Sequence, residues 1–97
     1  MTALLIARFT VKDLEKLKEY AAQAPQTMAT YGGRALLRGK ADKNLTAGDT
    51  DHAMAAIFEF PSLEKIDEWY NCDAYEQLKA LRDEGADMRI TSYEVMT

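Results

Sequence analysis

The sequence is poor in the residue types that most often announce a chemistry. It holds one cysteine, Cys72, and one histidine, His52. A lone thiol closes no intramolecular disulfide, and one His with one Cys falls short of the ligand set of a structural zinc site, so no metal site is expected. That cysteine usage fits a reducing, cytoplasmic setting. Long apolar runs are also missing. No stretch approaches the ~20 residues of a membrane span, and Ala3 to Ala7 has neither the basic flank nor the length of a signal-peptide core, so no membrane partner is expected. An excess of positive charge is absent as well: 12 Lys and Arg stand against 16 Asp and Glu, a formal net charge of -4. Such a balance argues against nucleic acid as a partner. There is no internal repeat and no low-complexity linker, and the chain is read as one domain over residues 1–97.

What is present is enough apolar material for one core: 47% of the residues, with one Trp, five Tyr and three Phe. Ala3 to Phe9 is short and apolar toward both sides, which predicts a strand covered on both faces. Thr10 and Asp13 stand in a capping-box-like relation, and Leu14, Leu17, Ala21 and Ala24 follow at helical spacing. Pro25 removes a helix donor, so the helix is expected to end before it, or to restart with Pro25 in its first turn and reach Thr30 at the latest. Tyr31-Gly32-Gly33 breaks the pattern. A second strand is expected over Arg34 to Gly39, with Arg34, Leu36 and Arg38 on one face and Ala35 and Leu37 on the other. The polar run Lys40 to Asp51 is long for a hairpin loop and marks either a lid or a mobile connection.

His52 to Phe60 reads as the third strand, with Met54, Ala56, Phe58 and Phe60 on one face. Ser62 is a good N-cap, and Leu63, Ile66, Trp69 and Tyr70 make an apolar stripe. Asp73 and Glu76 form a second capping box, predicting a kink or restart near Asn71 to Asp73 before Gly85 closes the helical region. Met88 to Met96 is expected as the last strand, at a sheet edge. The order β-α-β-β-α-β predicts an α+β, ferredoxin-like sandwich with both helical regions on one face of a four-stranded antiparallel sheet. Its other face would expose an apolar patch of a few hundred Å2, more than monomers usually tolerate. Sheet-to-sheet packing into a homodimer would cover it.

Tyr31-Gly32-Gly33-Arg34-Ala35-Leu36-Leu37-Arg38-Gly39 and Phe60-Pro61-Ser62, followed by Trp69-Tyr70, Tyr75, Leu78 and Arg82, resemble the pattern of the DUF1330 family, part of the dimeric α/β barrel superfamily. The resemblance runs from the first strand to the last and implies a ferredoxin-like fold and a dimer. Relatives in that superfamily include cofactor-free monooxygenases, isomerases and decarboxylases that act on small, often aromatic compounds, and also haem proteins. This chain departs from the pattern in its longer polar run, Ala41 to Asp51, and in Cys72 where serine is usual.

Arg34 and Arg38, two steps of the pleat apart, are candidates to clamp a carboxylate or enolate; the competing reading is a pair of structural ion bridges. His52 is the candidate general base, against a simple solvated histidine. Trp69, Tyr70 and Tyr75 on their stripe either pack the core or line a cleft, and Tyr31 either borders the same pocket or closes a turn. Cys72 reads as an inert thiol. Three functions follow from these residues. One is a cofactor-free enzyme on a small anionic or aromatic metabolite. Another is a non-catalytic ligand-binding or stress-related dimer with the same pocket. The third, an RNA-binding module, would need exposed aromatics on the bare sheet face and a basic surface, and the acidic balance opposes it.

Overall fold

The computed structural model describes residues 2–46, 48 and 52–96. Strand β1 (Ala3–Val11) is followed by α1 (Leu14–Ala29), the strands β2 (Arg34–Lys40) and β3 (Met54–Phe60), the helices α2 (Leu63–Tyr70), α3 (Asp73–Glu76) and α4 (Lys79–Gly85), and β4 (Ala86–Glu94). All strand pairs are antiparallel and the order across the sheet is β2-β3-β1-β4. This is the expected α+β, ferredoxin-like sandwich. The helices cover one face, where Ala3, Leu5 and Ala7 of β1 and Ala56 and Phe60 of β3 are buried. The opposite residues of β1 run from half-buried Leu4 and Ile6 to exposed Arg8.

Several boundaries differ from the expected ones for identifiable reasons. β1 continues through Thr10 to Val11 because β4 pairs with it that far, Val11 opposite Ala86. Thr10 is therefore extended and caps nothing, and Asp13 takes over, its carboxylate accepting from the Lys16 amide at 3.2 Å. His52 precedes β3 rather than opening it, and β4 spans Ala86–Glu94 rather than Met88 to Met96. The restart near Asn71 to Asp73 is present, with a further break before α4. Residues 47 and 49–51 of the polar run, to which a lid or mobile connection was assigned, lie outside the described residues.

The expected break at Pro25 does not occur. α1 runs through Pro25 without interruption for sixteen residues. Burial of Tyr20, Ala24 and Met28 on both sides of the proline holds the helix together across the missing hydrogen bond. Gly85 ends α4 where a Cβ would stand 2.7 Å from the Leu17 amide nitrogen, so its lack of a side chain sets how closely α4 approaches α1. Gly32, at φ +80, makes the turn that leads out of α1 into β2.

The most consequential departure lies in β2. Arg34 is opposite Glu59 and Ala35 opposite Phe58, but Leu37, not Leu36, is opposite Ile57, and Arg38 is opposite Ala56. Leu36 is the extra residue of a β-bulge. Because side chains alternate with period two, one inserted residue exchanges the faces of everything after it. Arg34 thus shares the uncovered face with Glu59, while Arg38 shares the helix-covered face with Ala56. The expectation that Arg34, Leu36 and Arg38 lie on one face is corrected here.

Candidate functional site: a cavity between α1 and the sheet

Between α1 and the sheet lies a cavity of about 650 Å3. That is the size of a small-molecule site. Its floor is built from the helix-facing residues of the strands, among them Leu5, Phe9, Phe58, Met88 and Ile90, and its roof is α1, with small Ala21 and Ala24 beside Tyr20, Pro25 and Met28. Small side chains on α1 and at Ala7, Ala35 and Ala56 of the sheet leave the space open. Exposed Val11, Leu14, Lys18, Arg38 and Lys40 mark its mouth.

Among the described residues the charges on this lining are all of one sign. Arg38 and Lys40 come from β2, alternate residues that both face the helices because of the bulge, and Lys18 comes from α1. No carboxylate is among the described lining residues, although the protein as a whole carries a net charge of -4. The mouth is a local positive field at the edge of an apolar chamber.

At its inner end the cavity meets a hydrogen-bonded aromatic cluster. Tyr20 and Trp69 border both. The Tyr20 and Tyr75 hydroxyls share a 2.8 Å hydrogen bond, and the Arg82 guanidinium donates through Nη1 to the hydroxyls of Tyr75 and Tyr70, each at 3.2 Å. Burial pushes the Tyr20 phenol well above its ordinary pKa, reinforced by Tyr75. Burial works against the charge on Arg82, but its hydrogen bonds to Asp83, Tyr75 and Tyr70 outweigh this and hold the guanidinium above its usual value. The Trp69 indole donates to Thr27 Oγ1 at 2.9 Å, fixing the ring against α1.

The sequence candidates are thereby separated. Arg38 and Trp69 border the cavity. Tyr70 and Tyr75 stand behind its wall, linked to it through Tyr20. Arg34 is on the other side of the sheet, its Nη2 2.6 Å from Glu59 Oε1. His52 is buried but is not among the lining residues; its Nδ1 is 2.9 Å from Thr10 Oγ1. Tyr31 packs against the core beyond Gly32, with burial first and the neighbouring Cys72 thiol second raising its phenol pKa. Among the described residues no cluster of three or more His, Cys, Asp or Glu is placed to hold a metal ion, and no helix is long and apolar enough to cross a membrane. Lys18, Tyr20 and Lys40 are lining residues that the sequence reading missed. Tyr20 lies three residues after Leu17 on the apolar face, a signal that was there to use; the inward turn of Lys40 follows from the bulge, which leaves no mark in the pattern.

The same architecture recurs in solved structures. RPA0582, a protein of unknown function from Rhodopseudomonas palustris, superposes with a TM-score of 0.80 at 16% identity, over 99% of this chain and 83% of that one. SnoaB, a cofactor-independent oxygenase from Streptomyces nogalater, gives 0.70 at 11% identity, over 99% and 94%. A dimeric protein of unknown function with a ferredoxin-like fold from Bacteroides fragilis gives 0.57 at 16% identity, over 97% and 96%. No curated protein matches the chain. The model of the domain of unknown function DUF1330 matches residues 2–96, and the chain belongs to that family.

Proposed function

We propose that this protein is a homodimer whose cavity binds a small, largely apolar metabolite through an anionic group. The observation that carries the reading is the charge on the lining: three cations and no carboxylate among the described residues, at the mouth of an apolar chamber in an acidic protein. Arg38 supplies planar, charge-assisted donors and Lys40 and Lys18 supply point charges, so a carboxylate, sulfonate or enolate would be held at the mouth while its apolar body fills the interior. Arg38 and Lys40 take the place of the Arg34 and Arg38 clamp.

A cofactor-free oxygenation is the reaction the surroundings support. The SnoaB likeness extends to the fold, and Tyr20, a residue of the cavity lining, is hydrogen-bonded through Tyr75 to the Arg82 guanidinium. With the acid group at the mouth, an activated CH2 in the substrate's apolar body would supply all the electrons, R–CH2–R′ + O2 giving R–C(=O)–R′ + H2O, with Tyr20 as hydrogen-bond donor to the oxyanion that develops on the way. A non-catalytic binding dimer is the second reading. It is favoured by the position of His52, outside the cavity lining and occupied with Thr10.

The homodimer is supported by the uncovered sheet face. Leu4, Ile6 and Ile57 are half-buried there, and Leu37 and Tyr93 are exposed by 57% and 47%. A second copy packed on this patch removes it from water. Native mass spectrometry of the purified protein tests both parts together. A twofold mass is expected, with an acidic ligand retained or taken up on adding anilinonaphthalenesulfonate. A bare monomer at micromolar concentration that takes up none of that anion would refute the proposal, and oxygen consumption with the retained ligand separates the enzyme from the binder.

A further inference from the structure

We infer that the cavity holds a fixed hydrogen-bond acceptor across from the β2 cations Arg38 and Lys40, the backbone carbonyl of Ala21, and that the ligand is an acid carrying a hydroxyl on its apolar body. This rests on the proposed anion site and adds the second polar contact. Proline has no amide hydrogen, so a continuous helix through Pro25 leaves the Ala21 carbonyl without the donor four residues on, and a proline ring crowds the carbonyl one turn before it. Ala21 and Pro25, one turn apart, both line the cavity. Neighbouring carbonyls of the same helix have extra donors: Gln23 Nε2 donates to Glu19, Gln26 Nε2 to Ala22, and Thr27 Oγ1 to Ala24. No side chain among the described residues donates to Ala21. Its own side chain is a methyl group, which does not screen the carbonyl from the cavity.

A carbonyl bordering an apolar chamber gains most from a neutral O–H or N–H donor, because a second anion would be repelled by its oxygen and a purely apolar group would leave it unsatisfied. Arg38 and Lys40 stand on β2 and Ala21 on α1, so one ligand reaches both only if its acid and hydroxyl groups lie at different ends. Hydroxylated aromatic acids have that form.

The test compares 2-naphthoate with 6-hydroxy-2-naphthoate by fluorescence titration, on the intact protein and on Pro25→Ala. The hydroxylated acid is expected to bind about three- to tenfold tighter to the native protein, the range of one net hydrogen bond. In Pro25→Ala the new amide closes the helical bond, so this preference, read as the ratio of the two affinities within the variant, falls to about one whatever the loss of the ring from the cavity roof does to both acids. An unchanged preference in Pro25→Ala, or none in the native protein, overturns the inference while leaving the anion site standing. Failure of both acids to bind overturns the two together. Hydrogen exchange checks the premise: the amide introduced by Pro25→Ala should be protected, and rapid exchange there would show that the Ala21 carbonyl is not the acceptor the inference requires.

Discussion

The two halves of the helix-covered sheet face are built in opposite ways. Under α2, α3 and α4 the interior is dense: Phe60, Trp69 and Tyr75 are fully buried, with ring centroids of Trp69 and Tyr75 only 4.2 Å apart and Tyr70 5.5 Å from Tyr75. Under α1 the interior is hollow, with alanines interrupting the larger side chains of roof and floor and cations at its mouth. Close packing is the normal state of a protein interior, and an opening of this size forgoes the dispersion contacts of its walls. The aromatic half supplies the packing and the alanine half the space, with Tyr20 and Trp69 on the boundary of both.

Removing material from the dense half should have the largest effect. Trp69→Ala deletes the ring that touches Phe60, Tyr70 and Tyr75 and leaves Thr27 without its indole donor. A loss of about 3–5 kcal/mol in urea unfolding is expected. If the loss were below about 1 kcal/mol, the aromatic half would not be the one that supplies the packing.

The hollow half should respond in the other direction. Pro25→Ala restores one helical hydrogen bond and relieves the ring's clash with the preceding turn, so it should stabilise the protein by about 1–3 kcal/mol, read as a higher urea midpoint with an unchanged slope. A destabilised variant would mean that the proline ring is a packing element of the roof.

Binding comes next in size. Arg38→Ala should weaken anilinonaphthalenesulfonate about tenfold in a fluorescence titration, the loss of one charge-assisted contact, and leave folding nearly unchanged because the residue is exposed. Equal affinity in the variant would remove the cationic mouth from the argument.

Alkaline pH tests the boundary residue Tyr20. Its phenol pKa is raised in the folded protein by burial, so above the unfolded value near ~10 the native state holds one proton that the unfolded chain has released. The contribution is complete below that pH and declines above it by about 1.4 kcal/mol per pH unit. Tyr20→Phe should remove that share of the decline in denaturation curves measured on either side of pH 10. An identical decline in the variant would show that Tyr20 ionises as readily folded as unfolded.

Much of this arrangement was legible in the sequence, and the failures have physical causes. The sheet architecture follows from the β-α-β-β-α-β order of elements, and the need to cover its second face from Ala3 to Phe9 being apolar toward both sides. Helical spacing puts Trp69 and Tyr75 on an apolar stripe but leaves open whether they pack the core or line a cleft. Pro25 was misread because local propensity favours a break, whereas Tyr20, Ala24 and Met28 together bury enough surface to carry the helix through. The bulge at Leu36 was invisible. Neither glycine nor proline marks it, and its register is fixed by what β3 presents opposite, a tertiary matter.

That one inserted residue also sets the smallest and most discriminating prediction. Arg34 and Arg38 are four apart in sequence, and in an unbulged strand both would face the same way. Here Arg34 lies over Glu59 on the uncovered face, with its side chain 70% exposed. An ion pair so open to water contributes at most about 1 kcal/mol. Arg34→Ala should therefore shift the urea midpoint only slightly and leave anilinonaphthalenesulfonate affinity as it was, while Arg38→Ala weakens it. If both substitutions weakened binding equally, the two arginines would act at one site and the assignment of opposite faces would fail. If only Arg38 matters, deleting Leu36 should remove the bulge without turning either arginine: Arg34 stays opposite Glu59 and Arg38 opposite Ala56, three residues apart and on opposite faces, so anion affinity should stay as it was. A tighter complex in that variant would mean that Arg34 had come round to the cavity and that its pairing with Glu59 does not hold the register.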